Sequence, residues 1–159
     1  MPTGNEWHHL HGIFQENAPA LLARADECVA HLELIDNDSD AVEALLNTLY
    51  AIATLANNAQ LPAIGAFSLR VNETLRPVCT NGRLTPAALA SLRKCLALLA
   101  WQVELVDPVT GLLPLDDTEQ RELLARLASD LDEPDPHQAV GYCQCPRGSA
   151  YALRLPEQR

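Results

Sequence analysis

Residues 42–59, VEALLNTLYAIATLANNA, decide how the rest of the chain is read. Their apolar members Val42, Leu45, Leu49, Ile52 and Ala56 recur at steps of three, four, three and four, which puts one stripe on one face of a helix. A stripe of that length must be buried against other helices, so the segment is expected to be the central helix of a bundle. Asn57 and Asn58 tolerate the left-handed conformation that closes helices, and they are expected to end it.

The segments on either side share the helical period. Upstream, residues 10–34 carry Phe14, Ala18, Leu21, Ala25, Cys28 and Leu32 at alternating steps of four and three. They form one amphipathic helix or two joined at a kink. Pro19 lacks an amide hydrogen and Asn17 can cap a fresh start, so a short helix followed by a long one is expected. The cluster IDNDSD, residues 35–40, supplies the turn, with Ser39 or Asp40 as the expected N-cap of the central helix.

Downstream, a third helix starts near Leu61 with Pro62 in its first turn and turns Ile64, Phe67, Val71, Leu75 and Val78 inward. It ends near Arg76, because Pro77 pushes the preceding residue out of helical conformation. Asn81-Gly82 marks a turn, and Thr85-Pro86 opens a fourth helix running to about Val106, with Leu89, Leu92, Leu96, Leu99 and Val103 on one face. Trp101 on that helix either closes one end of the core or stands exposed for a partner. Pro108, Gly111 and Pro114 forbid regular structure in the next loop, and a fifth helix from Asp117 or Thr118 to about Leu131 carries Leu123, Leu124, Leu127 and Leu131. Beyond it, residues 133–159 are rich in proline, glycine and polar residues: an irregular tail or a docked extended arm, with a hairpin around Pro146-Arg147-Gly148 as one arrangement. The fold class expected is all-α, an antiparallel bundle of about five helices over residues 1–132, followed by that tail.

Composition limits the function. Of 159 residues 48% are apolar and 4% aromatic, so the core is built from Leu, Ala, Val and Ile, enough for one domain. The net charge of -10 comes without any basic run, which speaks against nucleic acid as a ligand. No stretch approaches the length of a membrane helix and the start lacks the pattern of a signal peptide, so a soluble, cytoplasmic protein is expected. Five cysteines without framework spacing suit a reducing compartment.

The succession IFQENAPALL, LYAIATLANNAQL and NGRLTPAALASLRKCLALL resembles the histidine phosphotransfer (HPt) domain, in the version found at the N-terminus of chemotaxis-type histidine kinases. The resemblance covers roughly residues 10–131. That family carries F-R-x-x-H-T-L-K-G-x-A on its second helix, and an ungapped match lays it on residues 49–59. The phosphoacceptor histidine then falls on Ala53, the lysine on Ala56 and the glycine on Asn57, while Thr54, Leu55 and Ala59 are kept. Alanine offers no nucleophile, so ordinary phosphotransfer at this position is not possible. Thr54 carries a hydroxyl, about 100 degrees further around the helix, and reads first as a packing residue.

What the resemblance implies is a non-catalytic module, not an enzyme, that binds a receiver domain of a response regulator or a histidine kinase through Tyr50, Ala53, Ala56, Asn57 and Gln60, with Ala53 exposed mid-helix. The same face could serve as a homodimer contact. Two alternatives stand beside this reading: an oligomeric helical scaffold that works through its C-terminal region, Trp101, Tyr142 and Tyr151 included, and a phosphocarrier using a non-standard residue. No cofactor and no metal are expected. His8 and His11 sit at an i, i+3 spacing, and Cys143 and Cys145 form a C-x-C, but a structural zinc site takes four ligands. His31 and His137 lack any surrounding motif.

Overall fold

The periodicity read above materialises as five helices. In a computed structural model that describes residues 4–79, 83–107 and 109–132, they are α1 (Gly4–Leu34), α2 (Ser39–Asn58), α3 (Pro62–Leu75), α4 (Pro86–Leu105) and α5 (Thr118–Asp132). A short 3-10 turn, Arg76–Cys79, follows α3. Among the described residues there is no strand. The Asn81-Gly82 turn, Pro108, and everything expected of residues 133–159, including Tyr142, Tyr151, His137, Cys143 and Cys145, lie outside the described residues.

α1 packs on α2 and α4, and α3 closes the ring by packing on α2 and α4, while α5 lies against α4 and α3. Cross-helix pairs give the directions. Gln15 Nε2 donates to the Val103 carbonyl near one end of α1 and Arg93 pairs with Glu33 near the other, so α1 and α4 are antiparallel. Ser68 Oγ donates to the Leu49 carbonyl and Asn72 Nδ2 to the Leu46 carbonyl, which sets α3 antiparallel to α2. Ser91 pairs with Asp130, and Ala97, Leu98 and Trp101 line a cleft with Glu119 and Leu123, so α4 and α5 are antiparallel too.

The stripe of α2 is buried as its spacing requires: Leu45, Leu49, Ile52 and Ala56 are fully enclosed among Phe14, Phe67 and Leu99. Each such Leu or Ile contributes roughly 1.5–3 kcal/mol relative to exposure. The faces expected of α3 and α4 also point inward, while on α5 Leu127 is enclosed and Leu123, Leu124 and Leu131 pack at the edge.

Three local expectations need correction. First, α1 runs unbroken through Pro19. The ring sits on the solvent side, and the buried line Phe14, Ala18, Leu22, Ala25, Val29 and Leu32 continues across it, so the packing outweighs the lost backbone bond. Asn17 does not cap a new helix; its Nδ2 donates back to the Ile13 carbonyl at 2.7 Å. Second, the N-cap of α2 is Asp38, whose carboxylate accepts from the Asp40 amide and from His31 Nε2 at 2.7 Å. Third, the left-handed residue after α2 is Gln60, with φ 61°, rather than Asn57 or Asn58. Around it Gln60 N–H bonds the Asn57 carbonyl and Leu61 N–H the Ala56 carbonyl, the paired closure of a Schellman motif, sealed by buried Leu61. Asn37 adopts φ 57° in the α1–α2 turn and its Oδ1 accepts from Leu84 N–H, which ties that turn to the segment before α4. Thr85 caps α4 as expected, accepting from the Ala88 amide.

Candidate functional site

The five residues singled out on α2 and its end separate into two groups. Tyr50 is 58% exposed, and Asn57 and Gln60 also face solvent. Ala53, at 3%, and Ala56, at 0%, are buried, so the expectation of an exposed Ala53 is wrong. The reason is α3. Gly65 lies over Ala53 and Asn57 so closely that a methyl group on it would press on the Asn57 carboxamide and come 3.3 Å from the Ala53 carbonyl oxygen. Small residues on both helices let the backbones approach, and the two bonds from Ser68 and Asn72 to α2 carbonyls hold them there. Ala53 and Ala56 therefore serve as close-packing residues.

What remains accessible beside this seam is Tyr50, Thr54 and Asn57, with Gln60 at the helix end, where its backbone conformation already has a structural role. Thr54 is exposed, about one turn after Tyr50 and about one turn before Asn57 on α2.

The remaining candidates are placed as follows. His8 and His9 are exposed, while His11 is 7% exposed and stacks at a tilt on Phe14. Burial, then the neighbouring His8, pushes the His11 pKa down, disfavouring its charged form. His31 is engaged with Asp38, whose carboxyl is held below its ordinary range chiefly by that hydrogen bond. Among the described residues no three His, Cys, Asp or Glu side chains converge as a metal site would require. Cys95 is buried and its thiol is pushed up to about 12, so it behaves as a small apolar residue. No helix among the described residues is long and apolar enough to cross a membrane.

A second surface is better formed than the one on α2. Trp101 stands 64% exposed on the outer face of α4, beside a cleft of about 340 Å³ between α4 and α5. Ala97, Leu98, Leu115 and Leu123 supply its apolar wall, with Lys94 and Glu119 at its edge. Leu105, Val109 and Leu112 extend exposed apolar surface along the α4–α5 loop. That loop is held by Asp107, whose Oδ1 accepts from the Val109 and Thr110 amides, and by Gly111 at φ 73°. The sequence left Trp101 between core and surface; the i, i+4 relation of Ala97 to Trp101, outside the buried stripe of α4, is the signal that points to the surface.

No family model, curated protein or solved structure matches the chain.

Proposed function

We propose that this chain is a non-catalytic, HPt-like interaction module that binds a receiver domain of a response regulator, or a histidine kinase, without accepting a phosphoryl group. The observation that carries the reading is the exposed face of α2, where Tyr50 stands in solvent with Thr54 and Asn57, while the residue that falls on the phosphoacceptor position is an alanine with no group to phosphorylate. A partner that docks along α2 would meet Tyr50, Thr54 and Asn57, a neutral surface on which an aromatic anchor supplies the apolar contact.

Isothermal titration against purified receiver domains and histidine kinases tests this, with a Tyr50→Asp, Asn57→Arg variant alongside. Binding by the native chain and a loss of about tenfold or more in the variant, equivalent to about 1.4 kcal/mol, supports the reading. No binding to either class, or equal binding by both proteins, overturns it.

The second reading is an oligomeric or scaffold protein that works through its C-terminal side. Trp101 favours it, because an indole with 64% of its surface in water beside an apolar cleft is a feature of docking surfaces. Sedimentation of the native chain beside Trp101→Ser separates the two readings: a self-association lost in that variant selects the scaffold.

A further inference from the structure

The α4–α5 cleft and residues 133–159 are complementary in chemistry and within reach of each other. From this we propose that the cleft beside Trp101 is the docking site for the chain's own segment 147–159, RGSAYALRLPEQR, which straps over α4 and α5. The inference does not depend on the two-component reading above.

Reach is the first argument. The Ser91–Asp130 contact fixes the end of α5 beside the first half of α4, and Trp101 lies ten residues further along α4, about 15 Å at the helical rise. Residues 133–150 extended span roughly 60 Å, so the segment after them reaches the cleft with slack. Tethering at that length holds the segment at an effective concentration on the order of millimolar, an advantage that no untethered partner shares.

Chemistry is the second argument. Tyr151, Leu153 and Leu155 alternate as in an extended strand, giving one apolar edge to lie against Ala97, Trp101 and Leu123. Charge is the third. Residues 133–159 hold three acidic and three basic residues, so the whole excess of acid in the chain belongs to residues 1–132. Within residues 147–159 the balance is basic, with Arg147, Arg154 and Arg159 against Glu157. Around the cleft the exposed acids Asp116, Glu119 and Glu122 outnumber the cations Lys94 and Arg126. The charges thus favour this segment over a second copy of the acidic bundle.

The test uses the full chain. Trp7→Phe leaves Trp101 as the single indole, and its emission and acrylamide quenching are compared with those of the same chain carrying Tyr151→Ser, Leu153→Ser and Leu155→Ser. Circular dichroism verifies that the bundle is equally helical in both. The docked segment gives a blue-shifted, weakly quenched Trp101 at every protein concentration, and the triple variant shifts to the red with a several-fold rise in quenching. Identical emission and quenching in the two proteins would overturn the proposal. So would protection of Trp101 that disappears on dilution and is indifferent to the triple substitution, since the occupant would then be a second copy.

Discussion

The α2–α3 seam and the α4–α5 cleft are built from similar residues and end in opposite states. In the seam, Ala53, Ala56 and Gly65 remove side-chain bulk from both helices, the backbones close, and two side-chain to backbone hydrogen bonds lock them. In the cleft, Ala97 also removes bulk from a helix face, but Trp101 stands on the next turn and holds its surroundings open. Alanine on a helix is therefore not a mark of either surface or interior. What lies one turn away, and which helix comes next to it, determines the outcome.

The comparison breaks first at Ala53. Ala53→Arg places a charge where 3% of the residue is exposed, and it is expected to destabilise the fold by about 3 kcal/mol or more, a fall in Tm of roughly 10 °C by calorimetry. An unchanged Tm would mean that α3 does not cover this position. On the other side, Leu112→Ser removes an apolar side chain that is 69% exposed, and chemical denaturation should register a change within about 0.5 kcal/mol. A loss several times larger would show that the α4–α5 loop is enclosed.

The smallest expected effect concerns the ion pairs that hold the edges of the ring. The Asp38 carboxyl is lowered chiefly by its hydrogen bond to His31, and Glu33 by its two bonds to Arg93. Because the folded pKa values are below the unfolded ones, the unfolded chain binds more protons. The stability these groups contribute is present above the unfolded carboxylate range and is lost as pH falls through the folded values. Thermal midpoints recorded from about pH 5 down to about pH 3 should therefore fall less steeply in a Glu33→Gln, Asp38→Asn variant than in the native chain. Parallel slopes would show that neither carboxylate is linked to folding.

Two kinds of expectation, one from apolar periodicity and one from the HPt resemblance, fared differently. The all-α architecture rests on the repeat of apolar residues, and the five helices follow it closely: Thr85 caps α4, Pro62 opens α3, and Pro77 ends it in a 3-10 turn. The site rested on a position-by-position match across residues 49–59, and a match along a helix carries no information on which neighbour covers it. Tyr50 is exposed and Ala53 is not, although both are one step from the buried stripe. Asp38 displaced Ser39 and Asp40 as the N-cap because its carboxylate meets both the Asp40 amide and a histidine from the preceding helix. That histidine is adjacent only once the α1–α2 turn is made.

By itself the sequence determined that this chain is helical, where most of its helices run, much of the apolar face that each buries, and that position 53 cannot hold a phosphoryl group. Those conclusions depend on covalent chemistry and on a 3.6-residue period, both local to the chain. Only the tertiary structure decided that α1 continues through Pro19, that α3 closes over Ala53, and that Trp101 faces a cleft. Each of these is a competition between a local preference and the packing of a helix distant in sequence, and packing free energy is settled only when all the helices are in place.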